Sequence, residues 1–296
     1  PRMNQKEFNQ RLNHIYWRRN PQGIKSDFGK TLLIGSSREY PNAVMISSLF
    51  CNMSGVGYCY VSTSQSNRET MVRRLPLNQI PSKDLEERCS LSSGERKKYL
   101  DSFSSILFGN GREVSNENKE LLRKILSSYS GSLIIDASGI TLLKSILDEG
   151  RERFTPESIL LTPHLGEVRR LLDVKNISSR NPNDYKDLAT SFSTKYNRSI
   201  LLKSYCSLLV DKTETYASSY LPTAVLGKAG SGDGLAGYLA GLFGYLKKEY
   251  TLPEIVLFAD TFLHQAAYRT GEKDSPGLDN ILDIFPERKK RIQDVK

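Results

Sequence analysis

The sequence has few metal-binding residues and no long apolar segment. Its 296 residues include four cysteines and three histidines, and no two cysteines are spaced as C-x-x-C, so we expect no zinc site. Scattered cysteines of this kind are typical of a reducing compartment. No apolar run is long enough to span a bilayer, and residues 1–30 contain no basic leader followed by an apolar segment. These absences predict a soluble, cytoplasmic protein without a membrane partner.

Basic residues outnumber acidic ones, but they are not arranged as in nucleic-acid-binding proteins. Lys and Arg number 42 against 33 Asp and Glu, which gives a formal net charge of +9. The sequence shows no basic stripe interleaved with aromatic residues, the pattern that binds nucleic acid. We therefore expect no nucleic-acid partner, and a basic surface that suits small anionic substrates.

Strand-like and helical patterns alternate along the chain, which is typical of α/β proteins. Continuously apolar runs such as Leu32-Leu33-Ile34 indicate parallel strands that are buried on both faces. A hairpin is predicted over residues 208–218, and the polar stretch from Pro76 to Lys98 is predicted to be a surface excursion. No linker or repeat divides the chain, so we expect one domain over residues 1–296, with a helical extension at residues 1–22. Strands are predicted at residues 31–34, 58–62, 104–108, 133–136, 159–161 and 199–203.

The motif Gly230-Ser231-Gly232-Asp233-Gly234 precedes a run of small residues typical of a helix. Glycines before a helix allow backbone N–H groups to converge on an anion, and the helix dipole adds partial positive charge. An acidic residue in such a phosphate site needs a task of its own, such as taking a proton from a hydroxyl. Asp233 is therefore the first candidate catalytic residue, and the alternative is a glycine-rich turn in which Asp233 only caps the helix.

Two better-known glycine motifs fit this segment less well. Residues 232–237 match G-x-G-x-x-G, but a second helical pattern follows, so no βαβ unit of a dinucleotide-binding fold is completed. A P-loop is excluded because no Lys-Ser or Lys-Thr pair follows the glycines.

Loops after the predicted strands supply further candidate residues. In open α/β sheets, ligands bind beyond the carboxyl ends of the strands. The loops at residues 35–37, 109–111, 136–138, 162–164 and 203–204 should therefore lie along one rim with the glycine motif. This rim would suit a phosphorylated ligand.

In this order, these loops resemble the NAD(P)H-hydrate dehydratases of the ribokinase-like superfamily. The element Thr162-Pro163-His164-Leu165-Gly166-Glu167 is the most specific, and it is followed at the right distance by the glycine motif. The resemblance implies a three-layer α/β/α ribokinase-like fold with a mainly parallel central sheet. It also implies that ADP or ATP, with Mg²⁺, is used to dehydrate hydrated NADH or NADPH. We assign no metal-binding residue. The other matching segments are residues 28–37, 40–43 and 53–57.

The resemblance implies a role for each matching residue. Asp233 corresponds to the catalytic aspartate, which deprotonates the substrate hydroxyl and also contacts the substrate. Ala43, Gly111 and His164 correspond to residues that bind the hydrated nicotinamide nucleotide. His164 has a second interpretation, in which it only caps a helix. The residues implied in adenine-nucleotide binding are Lys203, Ser204, Tyr205, Cys206, Ser207, Ser231 and Gly232.

The sequence departs from the family pattern near the third predicted strand. The usual Gly-Pro-Gly-Leu-Gly appears as Gly109-Asn110-Gly111-Arg112-Glu113, which brings a carboxylate to the expected path of the dinucleotide. Two other functions therefore stay open: a kinase for a sugar or a vitamin precursor, and a non-catalytic nucleotide-binding relative. We also expect the chain to form a homo-oligomer.

Overall fold

The computed structural model describes residues 20, 22–72, 78–150, 154–173, 182–204, 207–212, 214–217, 224–270 and 281. The helix predicted within residues 1–22 lies almost entirely outside these residues. Tyr205 and Cys206 also lie outside the described residues.

The described strands form one nine-stranded sheet in the order β3-β2-β1-β4-β5-β6-β7-β8-β9. The seven strands from β3 to β7 in this order are parallel, whereas β8 and β9 are antiparallel to their neighbours. In the register, Leu32 of β1 lies opposite Tyr60 of β2 and Ile106 of β4. The predicted mainly parallel sheet is therefore confirmed. The strands are β1 Lys30–Ile34, β2 Tyr58–Thr63, β3 Asn78–Pro81, β4 Ser105–Phe108, β5 Ser132–Ile135, β6 Ser158–Leu161, β7 Ser199–Leu202, β8 Leu208–Asp211 and β9 Glu214–Ala217.

Helices cover both faces of this sheet. Alternate strand residues point to opposite faces, so Leu33 packs in one core with α1, α9 and α10, while Leu32 and Ile34 pack in the other with α3 to α8. The layers are thus helix, sheet and helix, as expected. The helices are α1 Ala43–Met53, α2 Gln65–Val72, α3 Ser82–Ser90, α4 Ser93–Leu100, α5 Asn116–Ser128, α6 Ser138–Asp148, α7 Leu165–Leu172, α8 Pro182–Tyr196, α9 Ser231–Leu246 and α10 Leu252–Thr270.

The segment from Pro76 to Lys98 is not the surface excursion that the sequence predicted. Its described part forms β3, α3 and most of α4. Leu85 and Cys89 lie one helical turn apart in α3 and are fully buried in the core. Two apolar residues among polar neighbours anchor the helix, although they make only a weak sequence pattern.

Close packing of α9 on α1 sets the position of the glycine motif. A β-carbon at Gly237 would lie 2.0 Å from the backbone oxygen of Ser47, and one at Gly241 would lie 2.2 Å from the hydroxyl of Ser54. The small residues of α9 therefore allow two helix backbones to approach closely. This packing carries the amino-terminal end of α9 to the carboxyl ends of β1 and β4, between which the strand order reverses.

None of the described helices combines the length and the apolar character that a membrane-spanning segment requires.

Candidate functional site

The amino-terminal end of α9 presents backbone donors to the rim of the sheet. Gly230 has a φ of +92°, and the first helical hydrogen bond runs from Gly234 N–H to Gly230 O at 2.9 Å. The N–H groups of Gly232 and Asp233 precede that bond and have no intrahelical acceptor. Ser231 N–H already donates to Lys228 O at 3.3 Å. We call the two donors of Gly232 and Asp233 the anion nest, because helix dipole and N–H groups together favour a bound anion.

Lys203 supplies a cation beside the anion nest. Its Nζ atom lies 3.2 Å from the point that a β-carbon of Gly232 would occupy, so a larger residue at position 232 would crowd the ammonium group. Burial alone lowers the pKa of Lys203, but the charges of Asp136, Glu167 and Asp233 outweigh it, and the pKa is raised. The ammonium group therefore stays protonated at neutral pH and is suited to a phosphate ligand.

Asp136 holds Lys203 in place, a role that sequence reasoning did not assign. Lys203 Nζ donates to Asp136 Oδ1 at 2.7 Å, and Thr162 Oγ1 donates to the same oxygen at 2.8 Å. The Asp136 side chain is 3% exposed. A buried carboxylate requires such partners. Its position at the end of β5, on the predicted rim, was the available signal.

Asp233 is half-buried and has a pKa near neutrality. Burial raises its pKa to about 6, with a further contribution from the charge of Asp136, while Lys203 and a hydrogen bond from Asn110 lower it. A carboxylate with this pKa is a stronger base than an exposed aspartate, and it is ionised at neutral pH. The site therefore combines a base, a cation and the anion nest.

His164 caps helix α7. Its Nδ1 atom accepts hydrogen bonds from Gly166 N–H at 3.0 Å and Glu167 N–H at 3.3 Å, and Glu167 Oε2 accepts one from His164 N–H at 2.8 Å. Both interpretations from the sequence remain compatible, because the side chain is 61% exposed; its Nε2 atom lies 3.7 Å from Glu167 Oε2. A parallel bridge joins His164 to Lys203 and brings the histidine to the rim.

Ala43 and Gly111 are in contact at the start of α1. Gly111 has a φ of +71°, and a β-carbon there would lie 2.6 Å from the β-carbon of Ala43. The backbone at this contact therefore tolerates only glycine. Glu113, which the sequence placed near the dinucleotide path, is exposed.

The remaining predicted nucleotide-binding residues are described in part. Ser231 Oγ donates to Leu226 O at 2.7 Å, so this hydroxyl shapes the turn before α9. Ser207 is buried, and its Oγ donates to Ser204 O at 3.4 Å. The geometry at Tyr205 and Cys206 is outside the described residues.

A cavity of about 1360 Å³ lies elsewhere, at the amino ends of β6 and β7. Its lining includes Ile159, Ser199, Asp211 and Leu252, and none of the predicted site residues lies in it. Ligands of open α/β sheets bind at the carboxyl ends of the strands. We therefore place the functional site at the anion nest and not in this cavity.

The sequence of this chain was compared with those of known protein families and proteins. A family model described as NAD(P)H-hydrate dehydratase matches residues 31–284. An ADP-dependent (S)-NAD(P)H-hydrate dehydratase from Enterococcus faecalis is 28% identical over 241 residues, which is 80% of this chain and 76% of that protein. A bifunctional NAD(P)H-hydrate repair enzyme from Dictyoglomus turgidum is 25% identical over 273 residues, or 88% of this chain and 51% of that protein. The chain thus spans about half of the length of this bifunctional relative.

Solved structures share the fold. An ADP/ATP-dependent NAD(P)H-hydrate dehydratase from Bacillus subtilis, co-crystallised with ATP and Mg²⁺, has a TM-score of 0.78 to this chain at 19% identity. The likeness covers 96% of each chain.

Proposed function

Since this chain belongs to the NAD(P)H-hydrate dehydratase family, we propose that it converts hydrated NADH or NADPH back to the reduced cofactor in an ADP- or ATP-dependent reaction. The observation that carries this proposal is the position of the Asp233 carboxyl group, next to the anion nest and to Lys203. A base beside a phosphate site is the arrangement that phosphoryl transfer to a hydroxyl requires. The names of the relatives from Enterococcus faecalis and Bacillus subtilis support the substrates.

In the proposed first step, the substrate hydroxyl is phosphorylated. Its oxygen attacks the terminal phosphorus of the nucleotide while the carboxylate of Asp233 takes the hydroxyl proton. The N–H groups of the anion nest and the ammonium group of Lys203 stabilise the charge on the transferred phosphoryl group. The products are a phosphorylated ring and a nucleotide shortened by one phosphate.

In the proposed second step, phosphate is eliminated. The phosphate leaves with the electrons of the carbon–oxygen bond, and the neighbouring ring carbon loses a proton to water. The electron pair of that carbon–hydrogen bond then forms the double bond of the reduced cofactor. The net result is loss of water from the hydrated ring, coupled to nucleotide hydrolysis.

Mg²⁺ is proposed to enter with the nucleotide. No cluster of three or more His, Cys, Asp or Glu side chains in the described ranges is placed to hold a metal ion. The ion would be held by phosphate oxygens of the nucleotide and by water, which are the usual ligands of Mg²⁺ in nucleotide sites. When bound, the ion would neutralise charge on the phosphates.

The substrate and nucleotide residues are assigned by the same proposal. Ala43, Gly111 and His164 are proposed to contact the hydrated nicotinamide nucleotide, which the contact of Ala43 with Gly111 and the exposed side chain of His164 support. The adenine nucleotide is proposed to contact Lys203, Ser204, Tyr205, Cys206, Ser207, Ser231 and Gly232.

The chain is also proposed to work as a homo-oligomer in the cytoplasm. Cys51, Cys59 and Cys89 are buried and free, which supports a reducing compartment. Light scattering of the purified protein tests the oligomeric state.

The test of the function is restoration of reduced nicotinamide absorbance. The purified protein is incubated with hydrated NADH or hydrated NADPH and with ADP, ATP or no nucleotide. Recovery of absorbance that requires a nucleotide is expected. Nucleotide turnover only with another small alcohol would make the protein a kinase, and nucleotide binding without any turnover would make it a non-catalytic relative.

A further inference from the structure

Asn110 is a fully buried amide beside the proposed base. It follows β4 at the point where the strand order reverses, and its backbone oxygen accepts a hydrogen bond from Ser36 N–H at 2.8 Å. Its side-chain Nδ2 donates to the hydroxyl of Ser47 in α1.

Two contacts connect this amide to Asp233. Ser47 Oγ, which accepts the hydrogen bond from Asn110, itself donates to the backbone oxygen of Asp233 at 2.9 Å. A hydrogen bond from the Asn110 side chain to the Asp233 carboxyl group lowers the pKa of that group. The backbone and the carboxyl group of Asp233 are thus both connected to Asn110.

The orientation of the amide has a cost that the fold alone does not explain. Asn110 Oδ1 is buried and has no hydrogen-bond donor in the described part of the chain. An unsatisfied buried acceptor is destabilising. The opposite orientation would turn this oxygen towards the carboxylate of Asp233, where two acceptors would repel each other.

We infer that Asn110 is a positioning residue for Asp233: its amide, held by Ser47, orients the Asp233 carboxylate as the acceptor of the substrate proton. This inference rests on the proposed function of Asp233 as the base. Other charged groups also face Asp233, since Asp136 lies after β5 and Lys203 after β7. Substitution of Asn110 leaves both of these charges in place, so its effect can be separated from theirs.

The experiment measures the titration of Asp233 directly in the full chain. Aspartate carboxyl carbons are labelled with ¹³C, and the Asp233 signal is assigned by its absence in Asp233→Asn. Titrations are compared for the wild type, Asn110→Ala, Asn110→Asp and Ser47→Ala. Ser48→Ala is the matched control, because Ser48 is the next buried serine of α1 and, among the described residues, its hydroxyl donates to Met45 O at 2.7 Å.

We expect Asn110→Ala to move the Asp233 titration upward by about one pH unit, the scale of a hydrogen bond to a charged group. Asn110→Asp should move it further, because it adds a like charge. Ser47→Ala should act in the same direction, and Ser48→Ala should have no effect. The acid limb of the kcat/KM profile should shift with the titration, which a purely structural role would not cause.

An unchanged Asp233 titration in both Asn110→Ala and Ser47→Ala would overturn the inference. Should Asn110→Ala fail to fold, Ser47→Ala alone decides between the outcomes. A wild type without dehydratase activity would refute the proposed function instead, and the carboxyl titration would still test the contact.

Discussion

Asp233→Asn is expected to stabilise the fold at neutral pH although it removes the proposed base. Burial, and after it the charge of Asp136, raises the pKa of Asp233 to about 6. In an unfolded chain, an aspartate titrates near its ordinary value of about 3.9. The folded protein therefore binds this proton more tightly than the unfolded protein. The wild type must then lose stability as pH rises from about 4 through about 6.

The magnitude follows from the difference between the two pKa values. A difference of about two pH units corresponds to a loss of about 3 kcal/mol at about pH 8 and about 1 kcal/mol at about pH 4.5. Asparagine has nearly the same shape and no charge, so the variant avoids this loss. The free energy of unfolding of Asp233→Asn, relative to the wild type, should thus increase by about 2 kcal/mol between the two pH values.

Urea unfolding at about pH 4.5 and about pH 8 measures this difference for both proteins. Asp187→Asn is the matched control. Asp187 is an exposed residue of α8, so this substitution makes the same chemical change outside the site. A stability difference between Asp233→Asn and the wild type that is independent of pH, or that decreases towards pH 8, would refute the conclusion that burial raises the pKa of Asp233.

Three further substitutions test the contacts of the site. Lys203→Met should destabilise the fold by about 3–5 kcal/mol, because it leaves the buried Asp136 carboxylate without its cation. In urea unfolding, adding Asp136→Asn to the same chain should restore part of the lost stability. If it restores none, the pairing of Lys203 with Asp136 is refuted. Gly237→Ala should lower the melting temperature by forcing α9 away from α1. The control Gly94→Ala should not lower it, because a β-carbon at Gly94 meets no atom within 4 Å. Equal melting temperatures of the two variants would contradict the close packing of α9 on α1. His164→Ser should preserve the cap of α7, so the free energy of unfolding should stay within about 0.5 kcal/mol of the wild-type value. The apparent KM for the hydrated cofactor should rise. An unchanged KM would leave His164 with its capping role alone.

Much of the sheet was predictable because buried parallel strands have an unmistakable composition. β1 and β5 each contain a continuous run of three large apolar residues, and their predicted limits agree with the structure to within one residue. Strand β3 was missed because it lies at the edge of the described sheet, next to β2, and lacks a continuous apolar run. An edge strand needs no continuous apolar run, so hydropathy does not reveal it.

The rule that ligands bind at the carboxyl ends of the strands predicted that Asp233, Lys203 and Asp136 lie together. Lys203 and Asp136 each follow a strand, and Asp233 lies in the first turn of α9. The hydrogen bond between Asn110 and Ser47 could not be predicted in this way. It joins residues far apart in the chain, and it depends on the direction of two side chains rather than on the position of their loops. Likewise, the cap formed by His164 was one of two interpretations, and only coordinates show that Nδ1 is used for it.

In the proposed reaction, Asp233 is the base of a nucleotide-dependent dehydration. The most direct test is a single-turnover assay of reduced nicotinamide absorbance with hydrated NADH and ATP or ADP, for the wild type and Asp233→Asn at about pH 7.5. The variant should bind nucleotide nearly as well as the wild type and restore absorbance at least about 10²-fold more slowly, the scale of a lost general base. Restoration of absorbance by Asp233→Asn at the wild-type rate would show that Asp233 is not the base.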